Sequence, residues 1–337
     1  MKFSFLNCII CFCLAWAADS IPALAQDAQF PEGLTSFRLG SKEYTKSLSH
    51  YIVGVYCETL GDLEGAVKEY RQALESDPQS SFLHLNLATA FLQQNQTAQA
   101  LAELERSIAL EPEAVQPQAL LALLYSAQGN TQAAAQSYAR AFENASRQEP
   151  ENIEIYQSLG MIYLQQKKLK QAEGIFKLIL KLNPQDAQAH FYLGSIYYEL
   201  KDFPAAEKAL KSALKLKPDD HEVLNFLGYF YLEQDKHIDA AGKMIRQALA
   251  FEPENGAYLD SLGWFYYKKG KFKEALGYLE KAAYFLSDPV IFEHLGDVFV
   301  KLGDFNNAKL NWEKSLKLNS QQEQVKEKLL KITQHVE

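Results

Sequence analysis

The sequence predicts an all-α fold, a solenoid of about eight helix-turn-helix units closed by a C-terminal capping helix. Three periodicities carry that prediction. Alanine recurs at Ala66, Ala100, Ala134, Ala172, Ala206, Ala241, Ala275 and Ala308, in steps of 34, 34, 38, 34, 35, 34 and 33 residues. A ladder of small residues, each after an apolar one, runs through Gly54, Ala88, Ala122, Gly160, Gly194, Gly228, Gly263 and Gly296. Only a small side chain lets two crossing helices approach closely, so this ladder marks where each hairpin crosses. Pro78, Pro112, Pro150, Pro184, Pro218 and Pro253 form the third ladder. Proline cannot continue a helix, so each ends one unit and opens the next.

The N-terminus stands outside this register. Lys2, an apolar run from Phe3 to Ala18, and Pro22-Ala23-Leu24-Ala25 follow the order of a secretory signal (residues 1–25) cut after Ala25. This predicts an exported chain, periplasmic or extracellular. Retention as a membrane anchor is the alternative, although the run is short for a span. Cys8, Cys11 and Cys13 lie within the signal, so their spacing reads as signal composition and not as a metal or redox motif. Cys57 is left alone downstream and has no internal disulfide partner. Residues 26–46 form a polar leader broken by Pro31, Gly33 and Gly40.

The array then occupies residues 47–320, with repeats near 47–80, 81–114, 115–152, 153–186, 187–220, 221–255, 256–288 and 289–320. The stretch from Tyr258 to Leu279 shows one unit: Leu259, Leu262, Gly263 and Tyr266 at helical spacing, a Lys269-Gly270-Lys271 turn, then Ala275 and Leu279. A lone hairpin cannot bury such stripes and must stack on copies of itself. Four extra residues around Asn144 to Gln148 predict a longer second helix or loop in repeat three. One extra residue between Tyr231 and Ala241 falls near the turn of repeat six. Residues 321–337, polar except for Val325, Leu329, Leu330 and Ile332, read as the capping helix.

Repeat four carries Tyr156, Leu159, Gly160, Tyr163, Ala172, Phe176 and Pro184. With these residues the chain resembles the tetratricopeptide-repeat family, whose pattern of about 34 residues is W-x2-L-G-x2-Y, A-x3-F, P. Repeat eight departs from it by lacking the closing proline. The resemblance implies a right-handed superhelix and a non-catalytic protein–protein scaffold. It places partner contacts in a concave groove lined by first helices. In repeats five to eight those positions hold Phe191, Tyr198 and Glu199; Asn225, Tyr229 and Glu233; Asp260, Trp264, Tyr267 and Lys268; and Glu293, Asp297 and Lys301.

Aromatic groups offer contact area at low entropy cost, and Asn225 and Asp260 offer hydrogen bonds to a peptide backbone. The competing reading for Tyr229 and Trp264 is packing between helices, as expected for Tyr197, Tyr231 and Tyr266. Acidic and aromatic groups stand where a carboxylate clamp needs lysines, so the expected partner is a neutral to basic protein or peptide with apolar side chains. The net charge of −8 argues against nucleic acid as a partner.

No catalytic constellation appears, and neither a cofactor nor a metal is expected. His50, His84 and His190 share one repeat position, but they lie too far apart to ligate one ion. The lysines of repeats four and five, from Lys167 to Lys217, read as a solvated face, with membrane association as the alternative. The expected setting is a bacterial cell-envelope or secretion assembly. A homo-oligomeric structural spacer, stacking through its end repeats, is the alternative function.

Overall fold

A computed structural model describes residues 42–336, and among these there are seventeen helices and no strand. They pair into eight hairpins: α1 (Lys42–Thr59) with α2 (Leu63–Ser76), α3 (Ser81–Gln93) with α4 (Thr97–Leu110), α5 (Val115–Ala127) with α6 (Thr131–Gln148), α7 (Ile153–Gln165) with α8 (Leu169–Leu182), α9 (Ala187–Glu199) with α10 (Phe203–Leu216), α11 (His221–Glu233) with α12 (Ile238–Phe251), α13 (Gly256–Lys268) with α14 (Phe272–Phe285), and α15 (Pro289–Leu302) with α16 (Phe305–Leu318). The last helix, α17 (Glu323–Val336), stands alone in sequence. The signal and most of the leader lie outside the described residues. α1 begins at Lys42, within the stretch read as leader.

The chain divides into two units, one reaching Ile175 and the other running from Phe176. In the first, α1 packs on α2, α3 on α4 and α5 on α6, and each second helix also meets the first helix of the next hairpin. The second unit repeats this scheme from α9 to α17, with α11 also touching α13 and α13 touching α15. First helices are therefore covered on more than one side. That is why segments such as SFLHLNLATAFLQ are apolar nearly all round, while second helices keep one apolar stripe.

The ladders do what their chemistry requires. All eight alanines of the first ladder are buried. A Cβ placed on Gly228 would lie 2.7 Å from Ile245 and 3.1 Å from the Ala241 carbonyl, and one on Gly263 would lie 2.6 Å from Leu279. These are the crossings of α11 on α12 and of α13 on α14, where no larger side chain fits. The six prolines sit in the turns between hairpins. Asn152, Asp186, Asp220 and Asn255 then cap the following first helices through side-chain oxygens that accept backbone N–H groups.

Inside every hairpin one residue takes the left-handed conformation: Gly61, Asn95, Gly129, Lys167, Lys201, Asp235, Gly270 and Gly303. A side chain bearing a Cβ costs about 1–2 kcal/mol there. Glycine removes that strain but loses more chain entropy on folding. Lys201→Gly is therefore expected to stabilise the protein by about 0.5–1 kcal/mol, read as a higher urea midpoint at unchanged slope.

Both insertions are visible. Repeat three spends its extra residues on α6, 18 residues long where the other second helices have 14. Asn144, within that extension, is buried and donates to the carbonyl of Pro112 at 2.9 Å. Repeat six accommodates its extra residue with a second left-handed position, His237, beside Asp235. His50, His84 and His190 make local contacts: His50 with Glu69 at 2.7 Å, His84 with Glu103 at 2.6 Å, and His190 with the Pro184 carbonyl at 3.2 Å. Among the described residues no helix is long and apolar enough to cross a membrane.

Candidate partner-binding face

The first helices α9, α11, α13 and α15 of the second unit position the residues of interest. On α9, the Phe191 ring meets Phe226 edge-on at 5.8 Å. Tyr198, half-buried, lies between Phe226 at 5.6 Å and Phe230 at 6.1 Å. Burial raises its phenol pKa, and the negative charge of Glu233 adds to the shift. Of the three tyrosines expected to pack, Tyr231 is buried and donates to Glu207 at 3.1 Å, while Tyr197 and Tyr266 keep partial exposure.

Asn225 on α11 is fully buried, yet neither its Nδ2 nor its Oδ1 has a hydrogen-bond partner. One turn further, Tyr229 is also buried, and burial first and Glu233 second push its phenol well up. Leaving both ends of a buried amide unmade is costly.

Asp260 and Trp264 follow on α13. The Asp260 carboxylate is 2.8 Å from Nδ1 of His294 on α15, and both side chains are buried. Burial pulls the imidazole toward neutrality, but the Asp260 charge outweighs it and His294 titrates above its ordinary value. Trp264 stacks on His294 at 4.0 Å and on Tyr267 at 4.4 Å, so three flat groups form one pile. Its Nε1–H donates to Glu233 at 2.9 Å. Lys268 reaches Asp235 at 2.8 Å and lies 5.7 Å above the Trp264 ring. Trp264 thus packs between helices, as the competing reading expected, on the first-helix face.

Glu293 and Asp297 on α15 are held by Lys328 of the capping helix α17 at 2.8 and 2.7 Å. Trp312 lies beneath the ammonium and donates to Asp297 at 3.2 Å. Burial pushes the Asp297 carboxyl up, and Lys328 offsets only part of that shift. The two acids expected to meet a partner therefore already hold a cation of this chain.

Sequence reasoning missed His294 and Lys328. Template counting picks Glu293 and passes over its neighbour, and Lys328 lies beyond the array. A usable signal was present. Charged and polar pairs one repeat apart become neighbours on adjacent helices, as in Glu233–Trp264, Asp235–Lys268, Asp260–His294 and Glu293–Lys328, separated by 31, 33, 34 and 35 residues.

Stacked helical hairpins with alanine, glycine and proline in register define the class: a tetratricopeptide-repeat protein. Within that class the chain belongs to the family described as the cilia and flagella-associated protein 70 C-terminal domain, whose model matches residues 113–330. A general tetratricopeptide-repeat model matches residues 59–124. No curated protein matches the chain.

Among solved structures, the APC/C hetero-tetramer Cut9-Hcn1 is 17% identical with a TM-score of 0.56, covering 89% of this chain and 59% of that one. The human IFIT1 dimer with m7Gppp-AAAA is 20% identical with a TM-score of 0.53, covering 76% and 65%. A tetratricopeptide repeat protein from Parabacteroides merdae is 16% identical with a TM-score of 0.46, covering 86% and 99%. The first two of these likenesses speak to the fold alone. Proteins of this class generally mediate protein–protein interactions, typically as non-catalytic scaffolds.

Proposed function

We propose that the chain is a non-catalytic scaffold that holds a segment of a partner protein along the first-helix face of its C-terminal unit. The carrying observation is the partly open band of that face, where Tyr198, Tyr267 and Lys268 are half-buried and Glu233 is exposed, with the buried amide of Asn225 on the same helix as Glu233. Fully buried Asn225 reaches a partner backbone only where the face opens to admit it, and its amide then offers one donor and one acceptor side. Phe191, Tyr198, Tyr229, Trp264 and Tyr267 supply the apolar wall. Exposed Glu233 favours a neutral to basic segment, whereas Asp260, Glu293 and Asp297 are already paired within the chain. Lys268 enters through its stack on Trp264.

The signal-like N-terminus extends this reading to an exported protein serving a cell-envelope assembly. Asn225→Leu tests the binding role: crosslinked partner should fall about tenfold or more, while far-UV circular dichroism stays unchanged. Capture at the wild-type level by the folded variant contradicts it. A self-associating spacer is the second reading, favoured by Ile52, Val53 and Tyr56, which stand exposed along α1, and by exposed Leu60 just after it. A mass that climbs with concentration in light scattering, without partner capture, would select it.

A further inference from the structure

Away from the first-helix face, a crevice of about 800 Å³ opens between the second helices α12 and α14, a size suited to a peptide side chain with its flanking groups. Its floor is apolar, with Leu249, Leu259 and Leu262, and its rim carries two cations, Arg246 and Lys281. Arg246 lies 5.2 Å above the Phe265 ring and Lys281 5.9 Å above the Tyr278 ring. Neither pairs with a carboxylate among the described residues. Tyr284 stands at the mouth, 83% exposed, with Phe285 edge-on to it at 5.1 Å.

The same crevice occurs between α2 and α4 in the first unit, with a volume of about 730 Å³. By ladder register Arg71 matches Arg246, His84 matches Leu259, Glu103 matches Tyr278 and Arg106 matches Lys281. There the chain supplies its own anion. Glu103 accepts from Arg106 at 2.8 Å and pairs with His84 at 2.6 Å. In the second crevice the acid and the histidine are replaced by Tyr278 and Leu259. The cations remain, the internal carboxylate is gone, and the floor has become greasier.

We infer that the α12–α14 crevice is a docking site for a short acidic segment of a partner protein carrying a large apolar side chain. The apolar side chain enters over Leu259 and Leu262, and a flanking carboxylate takes the role that Glu103 plays in the first crevice, between Arg246 and Lys281. The rim cations are already oriented over aromatic rings, so little ordering is required on binding.

The probe is a fluorescein-labelled, end-blocked peptide of aspartates around a Phe-Trp pair, compared by anisotropy with the same peptide carrying lysines. The acidic peptide should bind, weaken with added salt, and outcompete its lysine counterpart. Leu259→His with Tyr278→Glu transplants the self-satisfied arrangement of the first crevice and should reduce binding at least tenfold without loss of helicity. Arg246→Glu with Lys281→Glu should do the same. Asn225→Leu should leave this binding intact, so the crevice and the first-helix face stand or fall separately. Equal binding by wild type and both double variants, equal binding of the lysine peptide, no binding at millimolar peptide, or binding of fatty-acid micelles alone would overturn the inference.

Discussion

Asp260→Ala is expected to lower stability by about 3 kcal/mol at pH 5.5, and by less at pH 8. The Asp260 carboxylate accepts from His294 where both side chains are buried, so its removal leaves an imidazole without its partner in an apolar setting. The pH dependence follows from the sign of the shift. In the wild type burial works against the charged imidazole, yet Asp260 holds the folded pKa above the unfolded value of about 6.5. The pair's contribution is therefore fully present below that unfolded value and is lost as pH rises through the raised folded value. Without Asp260 burial, opposed by the smaller effect of the Glu233 charge, drops the folded pKa below the unfolded one. Acidification then destabilises the variant where it favours the wild-type pair. Urea unfolding at the two pH values reads this reversal; parallel losses at both would contradict the assignment.

Trp264→Ala carries the other large expected effect, a loss of about 3–5 kcal/mol. The indole is the middle of the Tyr267–Trp264–His294 pile and the donor to Glu233, so truncation opens a cavity and removes that hydrogen bond together. Trp264→Phe keeps a stacking ring but removes the donor, and should cost about 1–2 kcal/mol. Because each hairpin contacts only its neighbours, the damage should concentrate in α11 to α15. Hydrogen exchange should show lost protection there, with α1 to α6 unchanged; a uniform loss would contradict the local account. Combining Trp264→Ala with Tyr229→Ala is consequently a poor probe of binding, since both side chains are buried in the helix packing.

The hairpins were legible in the sequence because their constraints are local and periodic. Ala241, Gly228 and Pro218 each occupy a position that admits little else, and the repeat prints that demand eight times for the two small-residue ladders and six times for proline. The turns were less legible. Lys167 and Lys201 adopt the conformation that Gly129 and Gly270 adopt, without the residue that signals it. Positions on the first-helix face were legible as positions, but their chemistry was not. What Glu293 or Lys268 does depends on a partner about one repeat away, and what Glu293 and Asp297 hold depends on a lysine in the cap. The unmade amide of Asn225 is invisible in any sequence pattern, since an asparagine at that place reads the same whether bonded or not.

That amide is also where the account is most exposed to test. Asn225→Leu replaces it with an apolar side chain of similar size, so a residue kept only for folding and a residue kept for binding give opposite signs. If the face holds a partner segment, the variant should be more stable than the wild type by about 1–2 kcal/mol, because an unsatisfied buried group is gone. It should also lose partner capture. Stability measured by urea unfolding alongside crosslinked yield decides it. A variant that gains stability and loses capture supports the scaffold; one that keeps capture, or that loses stability along with it, contradicts the role given to this face.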